Sequence, residues 1–125
     1  MTLHLGIVGM GHVAKHHVIG IGAAEGLSLV GTADPVKPSQ DVGARCPHFA
    51  SLTEMIEADL QAGVKPACVV ATLGTTGAGG IDPLAAIGRL CRKHDIYLHV
   101  DAAWAGSALL LPETRWMIDG IEQAD

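Results

Sequence analysis

Residues Gly9-Met10-Gly11-His12-Val13-Ala14 place two glycines and a small residue at the spacing of a phosphate cradle. Gly9 permits a tight turn, Gly11 lets backbone N–H groups approach a pyrophosphate, and Ala14 lets a helix pack closely on a strand. The helix that follows offers free N–H groups and a partial positive charge to the phosphates. Asp34 ends the next apolar run, where a carboxylate accepts hydrogen bonds from ribose hydroxyls and repels a 2′-phosphate. The set therefore predicts binding of NAD rather than NADP, at roughly micromolar to millimolar affinity.

Other chemistry-bearing residues carry less. His12 and His16 share a helix face, but no third ligand accompanies them, so no metal site is assigned and they read as surface histidines. His99 and Asp101 have the same parity on one apolar run and could act as a pair, yet no catalytic residue is assigned from them. Cys46, Cys68 and Cys91 show no CxxC or other metal spacing, which supports neither a zinc site nor a disulfide framework. Cys68 reads as a core residue.

These residues need elements to hold them. Leu3 to Gly9 is a short apolar run that reads as a strand, followed by a helix from His12 to Ala24 that Gly26 ends. Leu27 to Ala33 makes a second strand, stopped at Asp34-Pro35. Val36 to Pro47 reads as a loop with at most a short helix, and His48-Phe49-Ala50 as a brief third strand. Ser51 caps a helix from Leu52 to about Gln61, Glu54 completes a capping box, and Gly63 closes the helix.

Pro66 to Thr72 is a continuous apolar run expected to be a strand buried on both faces. A loop rich in Gly and Thr runs from Leu73 to Gly80, Asp82 is expected to cap a helix reaching about Lys93, and Tyr97 to Asp101 is a fifth strand. A helix or helical turns are expected between Pro112 and Gln123. Alternation of strands and helices predicts an α/β fold: a three-layer, Rossmann-like, doubly wound parallel sheet of about five strands in the order 3-2-1-4-5, with residues 1–125 forming one domain.

The composition sets limits. Only 3% of residues are aromatic, while Ala, Val, Leu, Ile and Gly abound, the palette of helices packed on a parallel sheet. A net charge of −5 with scattered Lys and Arg disfavours nucleic acid, which demands a basic stripe. No stretch is long and apolar enough to span a bilayer and no targeting segment is apparent, so a cytoplasmic setting is expected. Leu109-Leu110-Leu111, Trp104 and Trp116 are candidates for apolar surface through which a homodimer could form.

Two family resemblances follow from the motifs. Leu5 to His16, Leu29 to Pro35 and His48 to Leu52 resemble the N-terminus of the Gfo/Idh/MocA family of NAD(P)-dependent oxidoreductases. That resemblance assigns Gly9, Met10, Gly11, His12, Val13, Ala14, Asp34, Thr72 and Leu73 to NAD. The family's Glu-Lys-Pro motif and substrate domain are missing from this chain.

From about Leu52 onward, Pro66 to Gly77, Ile81-Asp82-Pro83-Leu84 and above all His99-Val100-Asp101-Ala102-Ala103-Trp104-Ala105-Gly106 resemble the large domain of group II pyridoxal-phosphate decarboxylases. The resemblance implies that Asp101 pairs with the pyridinium nitrogen, that Ala103 packs on the ring and that Thr76 lies nearby. The chain ends before the position of that family's Schiff-base lysine.

Together the two resemblances predict a designed chimera of residues 1–51 and 52–125, joined between Phe49 and Ile56. Such a chain is expected to lack evolved catalysis and to bind NAD weakly, with pyridoxal phosphate unlikely and Thr76, Asp101 and Ala103 as vestiges. The alternatives are a minimal NAD-dependent oxidoreductase or NAD-binding module, and residual pyridoxal-phosphate binding.

Overall fold

In the computed structural model, residues 1–37 and 45–125 are described. The part of the expected Val36–Pro47 loop from residue 38 to 44 lies outside them. The chain forms two compact units, Met1–Val64 and Lys65–Asp125.

In the first unit, β1 (Leu3–Val8) pairs in parallel with β2 (Leu27–Ala33), and β2 pairs in parallel with the short β3 (His48–Phe49). Helix α1 covers Ala14–Ala23 and α2 covers Leu52–Gln61. The start of α2 follows from its sequence. Ser51 is extended, its hydroxyl accepts from the Glu54 amide at 3.2 Å, and the Glu54 carboxylate accepts from the Ala50 amide at 3.1 Å, the reciprocal capping box. Its end follows equally well: Gly63 has φ +76°, its amide donates to the Leu60 carbonyl and the Val64 amide to the Asp59 carbonyl, a Schellman closure.

Met55 of α2 is buried over a notch in the sheet. Gly6 and Gly31 lie opposite each other in the β1–β2 register, and a Cβ at either would fall within 3 Å of the Met55 Cε, at 2.3 and 2.7 Å. The two glycines thus leave the room that the flexible thioether fills.

In the second unit, β4 (Cys68–Thr72) and β5 (Tyr97–Asp101) form a two-stranded parallel sheet, with α3 (Leu84–His94) as the crossover between them. Three 3₁₀ helices follow, Gly106–Leu110, Pro112–Ile118 and Ile121–Gln123. Ala71 and Leu98 on one face of this sheet, together with Leu84 and Cys91 of α3, are buried, since side chains alternate across a strand and only one face meets the helix.

The fold is α/β with parallel sheets. The expected single sheet of five is instead a three-stranded sheet, β1-β2-β3, and a two-stranded sheet, β4-β5. The expectation that β4 is buried on both faces is also corrected: Val70 is 60% exposed and Cys68, with the same parity, is exposed rather than in the core. An unbroken apolar run cannot reveal which of its faces is covered. No described helix is long and apolar enough to cross a membrane.

Candidate functional site

At the carboxyl ends of β1 and β2 the glycine loop and Asp34 do meet, but they bind each other. Gly9 takes φ +87° and its amide donates to the Ala33 carbonyl at 2.8 Å. The next amide, of Met10, donates to Asp34 Oδ2 at 2.7 Å, and the Val36 amide donates to Asp34 Oδ1 at 2.8 Å. Both carboxylate oxygens are therefore engaged by the chain. The Val36 and then the Met10 amide hold the Asp34 carboxyl below its ordinary value; burial opposes them, and the nearby His48 adds a lesser lowering.

His48 completes this cluster. Its Nδ1 lies 3.0 Å from Thr32 Oγ1 and its Nε2 3.1 Å from the Asp34 carbonyl. Sequence reading passed over His48, because a histidine in a two-residue strand carries no periodic signal. Helix α1 starts two residues later than expected. The Ala14 amide is turned onto the Gly11 carbonyl at 3.1 Å and the His16 amide onto the Val13 carbonyl at 2.9 Å, so part of the donor set wanted for a phosphate is already spent. Gly11, His12 and Val13 are exposed and Ala14 is buried. His12 and His16 pack edge to face with centroids 6.4 Å apart, and among the described residues no group of three metal-ligating side chains converges.

In the second unit, the loops that leave β4 and β5 carry the remaining predicted residues. Asp101 ends β5 opposite Thr72 in register. Its Oδ1 accepts from the Ala103 amide at 3.0 Å, a turn that holds the carboxylate at the strand end. Asp101, Ala103 and Thr76 are all exposed. Cys68, Val70 and Thr72 alternate along β4, and Tyr97, His99 and Asp101 pair with them along β5, so His99 and Asp101 share a face as the parity predicts, and both are exposed.

Thr72 and Leu73, predicted for NAD, have their backbone donors committed. The Thr72 amide donates to Asp82 Oδ2 at 2.7 Å and the Leu73 amide to the Asp101 carbonyl at 2.8 Å, with Leu73 only 1% exposed. Asp82 is therefore not the cap of α3, whose start carries no side-chain cap bond. Its carboxylate instead ties the end of β4 to the segment entering α3, and its own amide returns to the Thr72 carbonyl at 3.0 Å.

At the other end of the unit, Lys65 pairs with Asp95 at 2.5 Å, and this lowers the Asp95 carboxyl. Lys93 lies in the last turn of α3. Both lysines of residues 65–125 thus stand before the starts of β4 and β5, at the end remote from Asp101. A groove of about 620 Å³ is lined by Ile81, Leu84, Ala85, Arg89, Trp116 and Met117 among others, and includes none of the predicted cofactor residues.

Comparison with known proteins gives these positions a context. The Pyridoxal-dependent decarboxylase conserved domain matches residues 17–125. A phenylacetaldehyde synthase of Arabidopsis thaliana is 49% identical over 75 residues, covering 60% of this chain and 15% of that protein. The aromatic-L-amino-acid decarboxylase of Sus scrofa is 50% identical over 76 residues, 61% of this chain and 16% of that protein. The crystal structure of mouse CSAD aligns over 98% of this chain and 24% of its own, with 32% identity and a TM-score of 0.62. The chain spans about 15 to 16% of the length of these curated relatives.

These findings correct the expectation of a designed, NAD-binding chimera without evolved catalysis. The family match begins at residue 17 and runs through the expected joint at 49–56, and the relatives are named for enzymes. NAD is withdrawn as the expected cofactor, and with it the oxidoreductase alternative and the judgement that pyridoxal phosphate is unlikely. In the structure the carboxylate expected to hold ribose accepts from the Met10 and Val36 amides, one on each oxygen, and so has a local role in tying the turn together. The glycine pattern marks a strand-to-helix turn, a use that the same spacing serves in the absence of any ligand.

Proposed function

Because the chain belongs to the pyridoxal-dependent decarboxylase family, we propose that it carries the pyridinium-facing edge of a pyridoxal-phosphate site, formed by Asp101, Ala103 and Thr76. The carrying observation is the state of Asp101: it ends a parallel strand, is exposed, and has one oxygen fixed by the Ala103 amide at 3.0 Å. The other oxygen accepts no hydrogen bond from the described residues and is left for a ligand. The donor set fits the group. A fixed carboxylate acceptor suits a protonated ring nitrogen, and the small Ala103 leaves its side free for a flat ring.

When bound, pyridoxal phosphate supplies an electron sink for the pair left behind as an amino acid loses its carboxylate. The contribution of this chain is to hold a proton at the ring nitrogen through the Asp101 charge. Asp82 orders the neighbouring strand end by gripping Thr72, and the Leu73 amide fixes the Asp101 main chain. Neither Lys65 nor Lys93 stands at the Asp101 end, so residues 65–125 are assigned binding and orientation rather than covalent attachment. Decarboxylation of an amino acid, aromatic by the names of the matched relatives, is the reaction to which this site would contribute in a longer assembly.

The likeness to a solved tryptophan decarboxylase and to a solved glutamate decarboxylase domain, each over 98% of the chain, supports reading residues 1–125 as a portion of one such domain. Exposed Trp104, Leu110, Leu111 and Trp116 favour self-association as well, which a concentration series in analytical sedimentation reads. The cofactor reading is tested by titrating the chain with pyridoxal phosphate and following the absorbance of the bound ring. Saturable binding that Asp101→Asn weakens by about tenfold or more is the expected result. Equal binding by the parent and Asp101→Asn would remove Asp101 from the site.

A further inference from the structure

Gly74 is the second residue beyond β4, and it is buried. Its φ of +77° puts it in the left-handed region, and an added Cβ would lie 2.4 Å from the Cβ of Ala105, 3.1 Å from Trp104 Cε3 and 3.6 Å from the Ala105 Cα. The loop after β4 is held in place by its own bonds: the Leu73 amide reaches the Asp101 carbonyl, and the Gly74 and Thr75 amides both reach the Gly80 carbonyl, at 2.9 and 3.0 Å. The turn after β5 is held as firmly. Ala103 donates to Asp101 Oδ1, Gly106 donates to the Ala102 carbonyl at 2.7 Å, and Ala105 is only 5% exposed.

We infer that the contact between Gly74 and Ala105 is a steric gauge that sets the position of the 102–106 turn, and through the Ala103 amide the direction of the Asp101 carboxylate. This makes Gly74 a positioning residue. Its relevance to a cofactor rests on the reading above, whereas the gauge itself does not. The Ala105 methyl carbon is one bond from the backbone and cannot swing aside, whereas the ring edge belongs to Trp104, whose side chain is 60% exposed and can rotate away. A methyl group on Gly74 must push the turn away until carbons stand near van der Waals separation, about 3.5–4 Å. Asp101 is anchored in the sheet, so the displacement falls on the Ala103–Asp101 bond.

Gly79 supplies the control. It lies in the same loop with φ +63°, and an added Cβ there meets nothing within 4 Å. Gly79→Ala therefore carries the backbone strain of a left-handed alanine without the collision, while Gly74→Ala carries both.

The experiment uses the full isotope-labelled chain and two readouts. One is the NMR shift of the Ala103 amide and its response to ionisation of Asp101 during an acid titration, a response that Asp101→Asn identifies by abolishing it. The other is the pyridoxal-phosphate titration.

Gly74→Ala is expected to shift the Ala103 amide, to blunt its response to Asp101, and to weaken cofactor binding by about tenfold. Gly79→Ala leaves both as in the parent, and Gly74→Ala combined with Ala105→Gly restores most of both. A parental Ala103 amide in Gly74→Ala overturns the inference. So does an equal effect of Gly79→Ala, or a failure of Ala105→Gly to rescue.

Should Gly74→Ala fail to fold, Ala105→Gly alone removes the contact from the other side. It is expected to loosen the Ala103 response, and an unchanged response overturns the gauge. A parent chain that binds no cofactor defeats the functional reading while the Ala103 readout still decides the gauge.

Discussion

The Met10 amide and the Asp34 carboxylate lie 2.7 Å apart, so the turn that follows β1 is tied directly to the end of β2. The Asp34 carboxyl is held below its ordinary value, first by the Val36 amide and then by Met10. A group whose folded value is depressed binds protons more readily when unfolded. Its contribution is therefore complete above the ordinary carboxyl value of 3.8 and is lost as pH falls through the lower, folded value. Denaturant titrations between about pH 7 and about pH 2 should show Asp34→Asn less stable by about 1 kcal/mol at the neutral end. The difference should shrink toward the acid end as Asp34 takes up its proton in the folded chain. A constant difference across the range would refute the assignment.

Ser51→Ala removes the acceptor for the Glu54 amide at the start of α2. A loss of about 1 kcal/mol is expected in chemical unfolding, with Ser51→Asp close to the parent because aspartate serves the same cap. Equal losses for the two substitutions would show that the hydroxyl, rather than the cap, is what matters.

Met55→Ala empties the notch over Gly6 and Gly31. Met55 is 7% exposed, so about 2–4 kcal/mol should be lost. Met55→Leu should cost less, since the volume is nearly kept. Stability that survives Met55→Ala unchanged would mean that the notch closes by itself.

Two glycine-to-alanine changes are expected to have opposite signs. Gly120 has φ +96°, and a Cβ there would sit 2.4 Å from the Ala85 amide nitrogen and 2.5 Å from its Cα. Gly120→Ala should therefore destabilise by about 1–3 kcal/mol or prevent the tail from docking on α3. Gly22 lies inside α1 with nothing within 4 Å of an added Cβ. Gly22→Ala should stabilise by about 0.5–1 kcal/mol, since alanine favours the helix and nothing obstructs it. Thermal melts of the two variants against the parent read both signs.

Several features were legible because their causes lie within a few residues. Ser51 and Glu54 announce the start of α2, and Gly63 announces its end. The fifth strand was read from Tyr97 to Asp101 and stands there. The tail between Pro112 and Gln123 suggests a helix or helical turns, and it forms 3₁₀ helices interrupted at Gly120, which has φ +96°.

Carboxylates were read less well. Asp34 and Asp82 each stand at a place where sequence offers a conventional role, ribose acceptor for one and helix cap for the other. In the structure one accepts from Met10, 24 positions away, and the other from Thr72, 10 positions away. Asp125 does likewise, accepting from the Leu98 amide at 2.9 Å while its own amide reaches the Leu98 carbonyl at 3.2 Å. The partner of a carboxylate is whichever donor the folded chain leaves unpaired nearby, and spacing along the sequence does not rank such donors.

The sequence by itself determined the order of strands and helices, the parallel pairing that this order requires, and the boundaries of α2, written by its cap and its closing glycine. These rest on local backbone preference and on apolar periodicity, both of which are properties of short segments. Tertiary structure decided that the glycine loop closes on Asp34 instead of standing open, and that β4 shows Cys68 and Val70 outward. It also decided that Gly74 and Ala105 come into contact beside Asp101. Each of those outcomes depends on which distant groups arrive within hydrogen-bonding or van der Waals distance, and that is fixed only when the strands and loops are packed.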